Sequence, residues 1–220
     1  TPSVPAQGMQ EISNQLANKL PEGKISLNTK VVSISGNKLF TSDGEIEARK
    51  IVVATDPTTA ISWLKLEPKK MHSVTTWYFK ADKSINSIVK EKPILFVDAQ
   101  KTGPLTNAVV LTNAAPSYAP DGEVLVSASA ISPNENADLL SVKKHLAHLF
   151  GVNTDNWELI KEYKIKEALP EMTPPFSLVS SNQINKDLFV AGDHRVTSSI
   201  QGALLSGTNT ATLVKVSLGL

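Results

Sequence analysis

The residues best placed for chemistry sit in one stretch, Leu188-Phe-Val-Ala-Gly-Asp-His-Arg-Val-Thr-Ser-Ser-Ile-Gln-Gly-Ala-Leu-Leu-Ser-Gly207. An acid, Asp193, follows a short apolar run, Leu188 to Ala191, which has the pattern of a buried strand. Gly192 and Asp193 break that run, and a polar loop follows to Ser199. Ile200, Ala203, Leu204, Gly207 and Ala211 then recur at three- and four-residue steps, the period of a packed helix. Ser198 or Ser199 is the expected cap, since a side-chain oxygen there accepts a hydrogen bond from a free amide one turn in. Gly202 and Gly207 are poor helix formers, so two on one helix predict a close approach to its backbone. Strand tip, acid and helix N-terminus together make a place for a polar ligand.

Other candidate groups are weaker. His145 and His148 lie three apart on an expected helix, but two imidazoles without a third ligand do not make a metal site, and solvated side chains are expected. His194 adjoins Asp193, where a loop or ligand-shell role fits better than a catalytic pair. Arg195 either reaches an anion or lies on the surface. Trp77, Tyr78 and Phe79 alternate along one expected strand, which puts two of the three in the core. No Gly-x-Ser-x-Gly nucleophile motif is present.

Composition excludes several classes. The 220 residues carry a net charge of +1 and 5% aromatics, a poor basis for nucleic-acid binding. The absence of cysteine removes disulfides, thiolate catalysis and cysteine metal sites. No apolar run approaches the roughly 20 residues of a membrane span, and no signal peptide is visible. The expected location is the cytoplasm.

Several elements must position the C-terminal stretch. Met9, Ile12, Leu16 and Leu20 fall at helical spacing, and Pro21-Glu22-Gly23 ends that helix. Lys24 to Ile34 reads as a strand, with a turn at Ser35-Gly36-Asn37. Asp43-Gly44 marks a hairpin, Lys50 to Ala54 a short buried strand, and Thr58 to Leu66 a short helix. Ser73–Ala81, Pro93–Asp98, Asn107–Thr112 and Gly122–Ile131 read as strands of an antiparallel sheet. A helix is expected over Asn134–Phe150, and a strand over Trp157–Ile165. Pro170, Pro174 and Pro175 require an extended or turning segment over 168–176. The outer parts therefore read as α/β and the middle as α+β.

Four of these segments, in order, resemble one flavoprotein superfamily, that of flavin-containing amine oxidases, protoporphyrinogen oxidases and phytoene-desaturase-like enzymes. Leu188–Gly207 resembles its C-terminal flavin motif. Pro5-Ala-Gln-Gly-Met9 is similar to its Pro-x-Gly-Gly-Met helix start, with Gln7 in place of the first glycine. Asn28-Thr-Lys-Val-Val-Ser-Ile34 looks like its strand for the adenine end of FAD, and Ile51–Pro57 like the strand leaving the FAD domain. The resemblance implies a glutathione-reductase-like FAD-binding domain with an inserted, mainly antiparallel-sheet substrate domain. The implied spans are 1–57 and 186–220 for FAD and 58–185 for substrate.

Carried over residue by residue, the resemblance puts the main chain of Val31 against adenine and Asp193 at the ribityl and pyrophosphate region. It puts Gln201, Gly202 and Ala203 at the helix start beside the isoalloxazine pyrimidine edge, and it implies cofactor-binding roles for Gly192, Ser199 and Ile200 as well. The implied chemistry is hydride transfer to FAD from a small apolar or amine-type substrate.

The sequence departs from the family pattern in three ways. It contains no Gly-x-Gly-x-x-Gly dinucleotide fingerprint. The chain starts at Thr1 in what reads as mid-domain sequence, so it is expected to be a C-terminal half. Its FAD site would then be completed by an N-terminal half carrying the fingerprint. The alternative is a non-catalytic or split-half interaction module without FAD binding of its own. Ser199 stands where monoamine oxidases carry an aromatic, which points to the desaturase and protoporphyrinogen-oxidase branch. Thr208 replaces the basic residue common after Ser-Gly.

Overall fold

A computed structural model of the chain describes residues 4–90, 92–174 and 180–220. Helix α1 (Gln10–Ala17) precedes strands β1 (Val31–Ser35), β2 (Lys38–Thr41), β3 (Gly44–Glu47) and β4 (Ile51–Val53) and helix α2 (Pro57–Leu64). Next come β5 (Met71–Ala81), α3 (Ile85–Val89), β6 (Leu95–Val97), β7 (Asn107–Val110) and α4 (Leu111–Ala114). They are followed by β8 (Val124–Ile131), α5 (Leu139–Phe150), β9 (Glu158–Pro170), β10 (Leu188–Val190) and α6 (Ile200–Ser217). The chain forms two compact units. One unites His72–Ala168 with the leading segment through Ile25, and the other unites Ser26–Met71 with Leu169–Leu220. The fold is mixed α and β, with mostly antiparallel strand pairs.

The first unit is a five-stranded sheet in the order β6-β7-β8-β5-β9. Strict alternation buries one face: Val124, Val126, Ala128 and Ala130 of β8 beside Thr75, Trp77, Phe79 and Ala81 of β5. Val142, Leu146 and Phe150 of α5 share that core, with Trp157 among the aromatics. Trp77 and Phe79 are thus core residues, while Tyr78 meets Tyr163 edge to face at 5.9 Å. Asp138 caps α5 by accepting the Ser141 amide at 2.9 Å, so the helix starts five residues later than Asn134. Its C-terminus ends on Gly151, at φ 66°. The leading loop belongs to this unit, where the Tyr118 hydroxyl donates to the Pro5 carbonyl at 2.8 Å.

In the second unit, β1, β2 and β3 form an antiparallel meander. Gly36-Asn37 joins β1 to β2, and Ser42-Asp43 joins β2 to β3, because Thr41 pairs with Gly44. The second turn lies one residue earlier than the Asp-Gly signal suggests. The strand expected from Lys24 shrinks to Val31–Ser35, since Asn28 at φ 58° interrupts any extended run. β4 pairs in parallel with β10, Leu188 opposite Ile51 and Val190 opposite Val53. Ile51, Val53 and Val190 pack with Ala60 and Leu64 of α2.

Three further local expectations change. Leu111 and Thr112 leave the strand for the helical turn α4. β9 runs on to Pro170, so that proline ends a strand. The expectation for residues 175 and 176 lies outside the described residues.

Truncating Phe79, fully buried in the sheet core, is expected to destabilise the protein by about 3–5 kcal/mol. A urea denaturation series of Phe79→Ala checks this, and an unchanged midpoint contradicts the assigned core.

Candidate functional site

The parallel register puts the C-terminal ends of β4 and β10 on the same edge of the second unit. The Ala191 amide continues the pairing by donating to Val53 O at 2.9 Å. Beyond β4 come Ala54, Thr55 and Asp56, and beyond β10 come Gly192 and Asp193. In open α/β sheets that edge is where ligands bind. Each strand also feeds a capped helix. Asp56 Oδ1 accepts the Thr59 amide at 2.9 Å, and Ser199 Oγ accepts the Gly202 amide at 3.0 Å. Hydrogen bonds from Thr59 hold the Asp56 carboxyl below its ordinary pKa.

On the β4 side lies a cleft of about 740 Å³, lined by Val31, Lys30, Val52, Asp56 and Trp63 among others. Its size falls within the range of small-molecule sites. Val31 is half-buried there, at the start of β1. On the β10 side, Gly192 and Asp193 lead into a short 3-10 turn through Arg195. Asp193 keeps 31% of its side chain exposed. The first turn of α6 is open: Ser199, Ile200, Gln201 and Ala203 are exposed, and Gly202 is buried. The structure thus gathers Gly192, Asp193 and residues 199–203 around one strand–helix junction. Val31 stands apart from that group, on the cleft.

Close packing explains two of the glycines. A Cβ on Gly202 would collide with the carbonyl oxygen of Thr197, so the chain's own loop occupies the space that the sequence reserved for a ligand. A Cβ on Gly192 would stand 2.5 Å from two atoms of the His194 ring. Gly207 has open space at its Cβ position among the described residues, so no packing within the chain explains it.

Polar residues invisible as a motif hold the junction. Ser206 Oγ accepts the Gly192 amide at 3.0 Å, and Thr210 Oγ1 lies 3.2 Å from Val190 O. Asn182 Nδ2 reaches Ser206 Oγ at 3.1 Å and Thr210 Oγ1 at 2.6 Å. All three side chains are buried, so each needs these partners. The i, i+4 spacing of Ser206 and Thr210 was the available signal; Asn182 had none.

The turn is electrostatically loaded. Lys69 Nζ donates to the His194 carbonyl at 2.9 Å, and Arg195 Nη2 donates to Ser181 O. Burial, then the Arg195 guanidinium, lowers the pKa of Lys69, while Asp193 opposes the shift. Burial, then Arg195, likewise keeps the His194 ring neutral below the ordinary histidine value. Neither His194 ring nitrogen has a hydrogen-bond partner among the described residues. His194 is therefore buried, and its Nδ1 stands 4.0 Å from Asp193 Oδ1, beyond hydrogen-bond reach. Among the described residues no group of three potential metal ligands converges, and no helix is long and apolar enough to cross a membrane.

The two glycines of α6 give opposite expectations. Gly202→Ala should lower stability by about 1–3 kcal/mol through overpacking, whereas Gly207→Ala should be neutral or stabilising by up to about 1 kcal/mol. Thermal melts of the two variants decide it, and equal effects would contradict the Thr197 packing.

Comparison with known proteins agrees with this architecture. No curated protein matches the chain significantly. A protein from Exiguobacterium sp., provisionally assigned as a protoporphyrinogen oxidase, superposes with a TM-score of 0.72 at 17% identity, over 98% of this chain and 52% of that one. A Pyrococcus furiosus protein gives a TM-score of 0.63 at 14% identity, over 95% of this chain and 53% of that one. Putrescine oxidase bound to putrescine gives 0.62 at 12% identity, over 96% of this chain and 53% of that one. The chain thus spans about half the length of these structures. The sequence profile of the flavin containing amine oxidoreductases matches residues 3–215, and the chain belongs to that family.

Proposed function

We propose that this chain forms the flavin-facing part of an FAD-dependent oxidoreductase that takes a hydride from a C–H bond of an organic substrate. The observation that carries the reading is the junction at the end of β10: an acid and an open, capped helix N-terminus beside a parallel strand, within a chain of the flavin-dependent family.

The residues suit the cofactor in part. The amides of Ile200 and Gln201 have no intrahelical carbonyl to bond, as at every helix start. With the positive end of α6 they stabilise negative charge on a bound flavin ring. Asp193 is exposed enough to accept hydrogen bonds from ribityl hydroxyls, and the cleft at Val31 accommodates the adenine end. A dinucleotide fingerprint is missing from the sequence, so a separate segment carrying one completes the pyrophosphate site in this reading. Ser199 keeps its hydroxyl on its own helix and acts by shaping the helix start. When bound, the flavin supplies the hydride acceptor.

In this reading spans 1–57 and 186–220 serve a glutathione-reductase-like FAD domain, and 58–185 supplies the substrate surface. The substrate is small and apolar or amine-like, in keeping with the likeness to protoporphyrinogen oxidase and putrescine oxidase structures. The reading includes a cytoplasmic location. A second reading is a non-catalytic or split-half interaction module that has lost FAD binding of its own.

Flavin absorbance separates the two. The chain joined to a fingerprint-bearing segment should purify yellow, and Asp193→Ala should weaken FAD binding at least about tenfold, the loss of a charge-assisted hydrogen bond. A joined protein that stays colourless with added FAD supports the interaction module instead.

A further inference from the structure

The loop between β6 and β7 is fastened to α5 by one imidazole. Asp98 organises the loop: Oδ1 accepts the Gln100 amide at 3.0 Å, and Oδ2 accepts the Thr102 amide at 2.6 Å and its hydroxyl at 3.2 Å. His145 Nε2 stands 3.1 Å from that same Oδ2. On the other side of the ring, His145 Nδ1 accepts the buried Leu105 amide at 3.0 Å. Both ends of the loop therefore meet on one side chain, which is buried rather than solvated as its sequence setting suggested.

This wiring fixes the tautomer. Nδ1 must be the acceptor, so the proton sits on Nε2 and points at the carboxylate. The ring fits only because residue 103 is glycine, for a Cβ there would collide with it. His148 lies nearly parallel to the ring, with centroids 6.4 Å apart.

We propose that His145 is an acid-sensitive latch: the neutral ring holds residues 98–105 on α5, and protonation of Nδ1 releases the Leu105 end. A proton on Nδ1 sets donor against donor, and the Leu105 amide loses its partner in a buried place, which is costly. Two titratable groups act on the ring. Asp98, from the loop, favours the imidazolium, and His148, one turn along α5, opposes it. Burial opposes it most, so the pKa lies below the ordinary histidine value. Burial raises the Asp98 carboxyl, but hydrogen bonds from Thr102 and Gln100 outweigh it and keep its pKa low.

The sign of the pH effect follows. An unfolded histidine takes up its proton near pH 6.5, about the model-peptide value, and the folded ring does so only at lower pH. Between those points the unfolded state binds more protons, so stability falls as pH drops through the window. The latch contribution is complete above it.

Amide hydrogen exchange of the chain, corrected for intrinsic rates, tests this. Between pH 7.5 and pH 5, protection at Leu105 should fall by at least about tenfold, and further than protection in the β5–β8 core. His145→Gln keeps a donor and an acceptor but does not titrate, so its Leu105 protection should not vary with pH. Nitrogen shifts of the wild-type ring should show Nδ1 unprotonated at neutral pH. The latch is overturned if the ring becomes doubly protonated while Leu105 stays protected, if protection does not fall, or if it falls equally in the variant.

Discussion

The second unit depends on the parallel pairing of β4 with β10. These strands are short and far apart in sequence, so backbone bonds alone would hold them weakly. Burial of Ile51, Val53 and Val190 against α2 supplies the apolar contribution. Ser206, Thr210 and Asn182 tie the end of β10 to α6 by buried hydrogen bonds. With that frame in place, the loops after both strands emerge on one edge. A capped helix then begins beside each, and its first turn carries amides with no intrahelical partner.

Gly202 shows how a functional glycine can have a local cause. The sequence suggests a close visitor, and the structure identifies the nearest one as Thr197 of the same chain. The loop from Thr197 to Ser199 folds under the helix, and the Ser199 cap completes it. This packing turns Gln201, Ala203 and Ile200 outward. The glycine therefore has a local cause, the packing of Thr197 against the helix start.

How much the sequence revealed depended on the range of the interactions. Local signals were legible: the alternation of β5 and β8, the turn residues at Gly36 and Asp43, the Ser199 cap and the end of β10. Turn chemistry and periodicity act within a few residues. Lys24–Lys30 looked like strand because of its composition, but a strand also needs a partner, and Asn28 bends the chain away. The Asn182–Ser206–Thr210 cluster and the burial of His145 were hidden, because each depends on atoms brought from elsewhere in the chain. For His145 the only local hint was Gly103, forty-two positions away, whose lack of a side chain admits the ring. The family likeness gave the site residues expected roles, while the structure shows what packs around them.

The sheet unit and the hairpin unit draw on different physics. The first buries a continuous aromatic and aliphatic core on one sheet face. The second has a small core and relies more on capped helices and buried polar pins. The most direct measurement is a crystal structure of the chain joined to a fingerprint-bearing segment and supplied with FAD. The account predicts the pyrimidine edge of the flavin within hydrogen-bond distance of the amides at the start of α6, with adenine at Val31. Flavin bound elsewhere, with the α6 N-terminus facing solvent, would contradict it.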